Sequence, residues 1–453
     1  MNPKSSARFL KEKRKHTLLI ITQDSPHSYS PSGRRILYTA LASSLFFGRV
    51  IVLSLRGVRK PSWQRRRAHE HNSKVLLYAV NFVRAVLYPL SGLFDPMKFL
   101  VLLVHSFILS KRYKPMYIIA SMPPFEVGLS AWLLTKRTTR KLIIDLRDDW
   151  EAAVGTELKR YFPAEIFKVL TAITNKIYSN ALVIFVATQT ISDSIRKRGV
   201  ATQFALVPNG ADTSIFIPEN ENDRRKIRMK YKLPMDKVIA VYCGKGTISY
   251  YRLDRVLSGI KFLSQEVKDR IYVVFYLYGG GSDRLKRMQR RLEISDNVLE
   301  IRDPLPRKSL AEVLGACDVG LLPFDDVAYL LCARSTKLYE YLSSGLYVIS
   351  SGPKGGELEA LFSDNPAFGL FTHPSAKDFA VSMSDVLEKG ENLLSGDLRK
   401  LRHSFVEKHY DRRAIMKKAM KTLLERVEGT VDLSCIKNHD NDEFGEIFLE
   451  GKK

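Results

Sequence analysis

Val238-Ile239-Ala240-Val241-Tyr242-Cys243-Gly244-Lys245-Gly246 is the stretch whose reading decides the fold. Six residues suited to a buried strand run straight into a Gly-Lys-Gly turn. A near-continuous apolar run is expected of a parallel strand covered on both faces. Glycine then lets the backbone turn sharply and approach a phosphate. The same texture recurs on both sides. C-terminal to it, strands are predicted at 272–278, 298–301, 319–322, 347–350 and 368–371; N-terminal to it, at 17–22, 50–55, 116–121, 141–146, 182–187 and 204–207. Helical stretches lie between, so the class is α/β, with two doubly wound Rossmann-like sheets and helical crossovers.

The texture changes after the first set. Residues 219–223 are polar, a basic helical stretch follows, and then Pro234. This divides the chain into an N-terminal domain over 1–212, a linker over 213–236, a second domain over 237–410, and a C-terminal helix and tail over 411–453. Two such domains imply a cleft facing the carboxyl ends of both sheets.

Charge is distributed unevenly. The chain carries +24, and residues 1–212 hold a net of +20. Arg56, Arg59, Lys60, Arg65, Arg66 and Arg67 form one cluster, and Lys4 to Lys15 another. One-sided positive charge suits an anionic partner, either a membrane or a nucleic acid. Residues 75–109 are strongly apolar and are read as two helical pieces broken by Pro89, Gly92 and Pro96. Basic residues beside such faces suit shallow insertion at an anionic bilayer, while the same helices also serve as core cover for the first sheet. No apolar run reaches the length of a spanning helix, and none forms a signal-peptide core. Cys243, Cys317, Cys332 and Cys435 lack CxxC spacing, a reduced-compartment pattern without a zinc framework. The location expected is cytoplasmic and peripheral, at the inner face of the membrane.

Two motifs carry chemistry. Gly244-Lys245-Gly246, with Arg252 ahead of the next helix, offers cations and a helix start to a diphosphate. The third glycine of a dinucleotide fingerprint is missing, which argues against NAD. In Ser335-Thr336-Lys337-Leu338-Tyr339-Glu340, Ser335 or Thr336 can cap a helix whose free amides hold phosphate oxygens. Glu340 can accept hydrogen bonds from vicinal ribose hydroxyls, or it is an exposed helix residue pairing with Lys337. Asp148 follows a strand and can orient a hydroxyl or act as a base; it can also be a helix cap. His27 lies in the first loop. Asp325-Asp326 reads as a solvated pair rather than a metal site.

In order, the chain presents Asp145-Leu146-Arg147-Asp148-Asp149-Trp150, Val207-Pro208-Asn209-Gly210-Ala211-Asp212 and Gly244 with Lys245 and Arg252. Then come Tyr278-Gly279-Gly280-Gly281, Ala316 to Pro323, and Lys337 to Gly345. This series resembles the GT-B glycosyltransferases of family 4, closest to the capsule, O-antigen and exopolysaccharide branch, over roughly residues 17 to 425. The resemblance implies a retaining, metal-independent enzyme with no cofactor. It would move a sugar from a nucleotide-diphosphate donor to a glycan acceptor; a lipid-linked acceptor is preferred because the expected interfacial helices fall in the N-terminal, acceptor-side domain. It implies that Lys245 and Arg252 hold the diphosphate and that Glu340 binds ribose. Ser335, Thr336 and Lys337 match the helix start at the phosphate, and Gly33, before Arg34 and Arg35, matches a loop near donor and acceptor. Cys332 stands where an acid is common, and Ser121 to Phe125 where a histidine is common. Two other readings stand beside it: a GT-B nucleotide-sugar epimerase, and a non-catalytic membrane or nucleic-acid adaptor. Against nucleic acid, no recognised binding fold or base-stacking platform is present in the sequence.

Overall fold

The structure, a computed structural model, describes residues 16–26, 30–57, 63–70, 73–82, 94–136, 138–159, 161–247 and 250–428. The chain divides into two compact units, with crossings between Pro208 and Asn209 and between Arg412 and Arg413.

The strands of the first unit are β1 (Thr17–Thr22), β2 (Arg49–Gly57), β3 (Trp63–Glu70), β4 (Ser73–Phe82), β5 (Tyr117–Met122), β6 (Lys141–Leu146), β7 (Val183–Val186) and β8 (Phe204–Leu206). Its helices are α1 (Pro31–Ser44), α2 (Pro96–Tyr113), α3 (Phe125–Thr135), α4 (Trp150–Leu158), α5 (Ala164–Ser179) and α6 (Gln189–Lys197). The sheet order is β3-β4-β2-β1-β5-β6-β7-β8. All neighbours pair in parallel except β3 with β4. The order reverses between β1 and β5, which makes that pair the topological switch point. Every residue of β1 and β5 is buried, as strands covered on both faces require.

The helix starts follow from local chemistry. Ser30 caps α1 by accepting from the Gly33 amide at 3.1 Å, with Pro31 at the first helical position. Asp95 does the same for α2, accepting from the Lys98 amide at 3.0 Å ahead of Pro96.

One expectation is corrected here. Residues 75–82 are not helical. They lie in strand β4, paired with β2 from Arg49↔Lys74 to Gly57↔Phe82, and β3 joins it as an antiparallel edge strand. A short continuous apolar run cannot be told from a buried helix by periodicity, and here sheet pairing decided it. The second basic cluster thus falls partly on β3. The second piece is helical as read, beginning at Pro96. The first basic cluster, His27, Pro89, Gly92, Cys435 and the expected tail lie outside the described residues.

The second unit has β9 (Val238–Lys245), β10 (Ile271–Tyr278), β11 (Leu299–Arg302), β12 (Val319–Pro323), β13 (Tyr347–Ser351) and β14 (Gly369–Thr372). Its helices are α7 (Glu221–Lys230), α8 (Leu253–Phe262), α9 (Gln265–Arg270), α10 (Ser282–Arg291), α11 (Arg307–Ala316), α12 (Thr336–Ser343), α13 (Glu357–Asp364), α14 (Ala376–Glu388), α15 (Gly390–Leu393) and α16 (Gly396–Tyr410). The all-parallel order β11-β10-β9-β12-β13-β14 reverses between β9 and β12. Ile239 and Val241 join one core cluster, and Ala240 and Tyr242 the other. That is the period of two that buries both faces of one strand.

The stretch expected as a linker belongs to this unit. Arg224 and Arg228 of α7 both grip the Asp318 carboxylate, Arg228 at 2.8 Å, and Asp318 also accepts from the Ile239 amide at 2.8 Å. A near-buried carboxylate bound by two guanidiniums and an amide fixes α7 to the start of β12. The chain then returns. Helix α17 (Arg412–Glu428) places Met416, Met420, Leu423 and Leu424 in the core of the first unit, beside Ile36, Phe46 and Val50.

Candidate active site

The second unit collects its chemistry at the carboxyl ends of β9 and β12, the switch point of its sheet. Gly244 lies near the end of β9. A Cβ there would come within 2.6 Å of Lys337 Cε and 2.7 Å of Tyr242 Oη, so only glycine admits the lysine chain. The next loop closes against the one after β10. Gly281 has φ of +86°, and a Cβ on it would stand 2.4 Å from the Gly246 carbonyl. The two glycine motifs of the sequence are therefore one structure, two loops in backbone contact.

Lys337 sits in the first turn of α12. Its Nζ donates to Tyr251 Oη at 2.8 Å and lies 4.0 Å from the Tyr251 ring centroid and 5.3 Å from that of Tyr242. Phe324 stacks behind Tyr251 at 5.0 Å. Burial pushes the Lys337 pKa down to about 8, against the pull of Tyr278, Cys243 and Glu340. The residue retains some exposure, so the amine is crowded by protein rather than sealed from water.

The start of α12 is open. Ser335 is the N-cap residue, yet its side chain makes no capping bond. Its Oγ is buried and has no hydrogen-bond partner among the described residues. Uncapped first-turn amides, an unpartnered hydroxyl and an ammonium are groups that can hold phosphate oxygens. Thr336 is buried at the first helical position, and Asn209 Nδ2 donates to the Arg334 carbonyl just before it at 3.0 Å.

Glu340 lies one turn on. Its partner is Arg307, Nη1 to Oε1 at 3.2 Å, and not Lys337 as the sequence spacing allowed. One oxygen is thereby oriented, leaving the other acceptor positions of the carboxylate for a ligand. The Arg307 guanidinium rests over the Phe216 ring at 4.7 Å.

Lys245 is exposed at the end of β9. Arg252 has carboxylate partners that the sequence did not show. It is bidentate to Asp254 at 2.9 and 2.7 Å and also donates to Asp325 at 3.0 Å, while Arg255 meets Asp325 at 3.0 Å. These carboxylates hold the Arg252 pKa up and largely compensate its charge. Asp325 is thus a clamp for two arginines rather than a solvated residue. Among the described residues no three His, Cys, Asp or Glu side chains gather as a metal-binding group. Cys332 is buried, donating from Sγ to the Tyr329 carbonyl at 3.3 Å.

In the first unit, the residues after β6 divide their roles. Asp149 is the cap of α4, accepting from the Ala152 amide at 3.4 Å. Arg147 donates to the carbonyls of Met122 and Pro123, fixing the loop after β5. Asp148 is exposed and is neither the cap nor that clamp. Crowding by protein raises its pKa, against Arg147 and Arg35. Asp145 and Arg35 form a buried bidentate pair at 2.7 to 3.1 Å, and Arg35 also donates to the carbonyls of Val207 and Pro208. Gly33 falls in the first turn of α1 rather than in a loop, with its amide already bound by Ser30.

Sequence reasoning missed the tyrosine cage of Lys337, the Arg307 partner and the Asp325 clamp. The adjacent Tyr250 and Tyr251 just before Arg252 were the available signal.

No protein-family model and no curated protein matches the sequence. Solved structures do match in fold. Sucrose-phosphate synthase from Thermosynechococcus elongatus is 14% identical with a TM-score of 0.69, over 91% of this chain and 99% of that one. Anabaena HepE in complex with UDP-glucose is 13% identical, with a TM-score of 0.62 over 90% of this chain and 99% of that one. An α,α-trehalose 6-phosphate synthase from Burkholderia multivorans is 14% identical, with a TM-score of 0.62 over 91% and 97%. At such identity the likeness shows the fold: two Rossmann-like α/β units of GT-B type, as the sequence leads one to expect.

Proposed function

We propose that this protein is a glycosyltransferase using a nucleoside-diphosphate sugar. The observation that carries the reading is the open start of α12: an unpartnered Ser335 Oγ, a helix start without a side-chain cap, and the Lys337 side chain, which packs against the Gly244 turn. Positive potential of this kind is what a departing diphosphate needs. The bond from the anomeric carbon to the diphosphate breaks with its electron pair going to the nucleotide, a bond to an acceptor hydroxyl oxygen forms, and the proton of that hydroxyl passes to the departing diphosphate. Lys337 and Lys245 meet the leaving charge, and Glu340 accepts from ribose hydroxyls. Arg252, already paired, positions the loop through Asp325. Asp148 accepts a hydrogen bond from a hydroxyl of the donor sugar or acceptor. The fold neighbours support this reading, since HepE was solved with UDP-glucose and an Escherichia coli trehalose-6-phosphate protein with UDP-2-fluoro glucose.

The finer points rest on the family 4 resemblance of the motifs. They are a retaining course and independence of metal; a glycan acceptor carried on a lipid rests instead on the apolar outer face of α2 in the first unit. Calorimetry with UDP, GDP and ADP tests the core of the proposal. One nucleotide should bind at micromolar strength, and Glu340→Ala should weaken it by roughly 10- to 100-fold, the worth of a hydrogen bond to a charged group. If none of the three nucleotides binds, the transferase reading fails.

A further inference from the structure

We propose that the outer face of α2 docks this chain onto an anionic lipid surface. The helix is anchored on its inner side, where Leu102, Ser106, Leu109 and Ser110 are buried. A surface helix ordinarily turns polar residues outward. This one turns out Met97, Leu100, Val104, Phe107 and Ile108, each 45 to 53% exposed. At 100° per residue these five fall in a stripe about 100° wide running most of a helix roughly 27 Å long. An exposed apolar stripe of this size marks an interaction surface.

The charges around it select the occupant. From Pro96 to Phe125 the chain has no Asp or Glu. The stripe runs into Lys111 and Arg112, with Lys114 just beyond, and the Lys111 ammonium lies 5.4 Å from the Phe107 ring centroid. Lys98 on the inner side is accounted for by Glu126 at 3.7 Å. On the adjacent α3, Leu133 is partly exposed and the Lys136 ammonium lies over the Trp132 ring at 5.0 Å. Apolar side chains entering the acyl boundary while lysines reach the headgroups is how a helix lies on an anionic bilayer. A second copy of the chain is opposed by the +20 net charge of residues 1–212, which repels itself and attracts anionic lipid. Among the described residues no helix is long and apolar enough to cross a membrane, so the contact is a surface one. The proposal stands independently of the catalytic reading.

Flotation of the full chain tests it, using phosphatidylcholine vesicles with and without about 30% phosphatidylglycerol. The chain should float with the anionic vesicles only, and raising NaCl from about 0.1 to about 0.5 M should release most of it. Phe107→Ser/Ile108→Ser leaves the charge unchanged and should lower the partition by at least about 10-fold. Val381→Asp, at an equally exposed apolar position on α14, should bind as the wild type does. Circular dichroism melts confirm that each variant folds. The proposal is overturned by equal flotation with neutral vesicles, by no flotation at all, or by undiminished binding of the folded serine variant. It is also overturned if sedimentation shows a dimer that the serine variant disperses.

Discussion

Replacing Lys337 with methionine should stabilise the empty protein and weaken it as a nucleotide binder. The amine is held in protein crowded enough to lower its pKa from 10.5 to about 8. At 1.36 kcal/mol per unit, keeping the ammonium charged in the folded state costs up to about 3 kcal/mol. The residue is not sealed from water, and the contact with the Tyr251 ring returns roughly 1 kcal/mol, so about 1–2 kcal/mol remains. The sign follows from proton counts. Between pH 8 and 10.5 the unfolded chain still binds the proton that the folded chain has lost, so wild-type stability rises with pH across that window. Methionine has no such charge. Lys337→Met should therefore be more stable by about 1–2 kcal/mol at pH 7, with the difference vanishing near pH 10.5. Urea unfolding of both proteins at pH 7, 9 and 10.5 reads this directly. Calorimetry at pH 7 should show nucleoside diphosphate affinity down by about 100-fold. A methionine variant that is less stable at pH 7, or that keeps its affinity, refutes the assignment of Lys337 as a charge held ready for a diphosphate.

Three further outcomes are expected. Gly281→Ala places a side chain at a φ of +86° and against the Gly246 carbonyl. It should cost about 2 kcal/mol or more in urea unfolding and disturb nucleotide binding through the paired loops. Arg35→Met strands the buried Asp145 carboxylate and should cost about 3–5 kcal/mol, whereas Arg35→Met/Asp145→Leu together should recover much of it. Asp148→Asn should leave nucleotide affinity unchanged and slow transfer by at least about 10-fold in a turnover assay, since its proposed part is in the reaction and not in holding the base.

The strands were legible where an apolar run stood between clear turns. The run at 141–146 became β6 with the same bounds, and 238–243 became β9 with two more residues. Residues 73–82 failed because ten apolar-rich residues without period fit either state, and pairing to β2, distant in sequence, settled it. The glycine loops and the start of α12 could be read because backbone geometry leaves a local mark in sequence. Side-chain partners leave none. Lys337 meets Tyr251 across 86 positions, Glu340 meets Arg307 across 33, and Arg35 meets Asp145 across 110. Arg252, read in sequence as a cation for the diphosphate, has its guanidinium bound to two carboxylates in space, which sequence spacing does not show.

The two crossings of the chain meet inside the second unit. The Ala211 amide donates to the Tyr410 carbonyl at 3.1 Å, the Arg412 amide donates to the Ala211 carbonyl at 2.9 Å, and the Arg412 guanidinium reaches the Gly210 carbonyl. Residues 209–412 are thus a closed loop of chain whose ends are laced together. A protease that nicks one crossing strand does not part the halves, because the other strand and its backbone bonds still tether them. Separation needs both cuts.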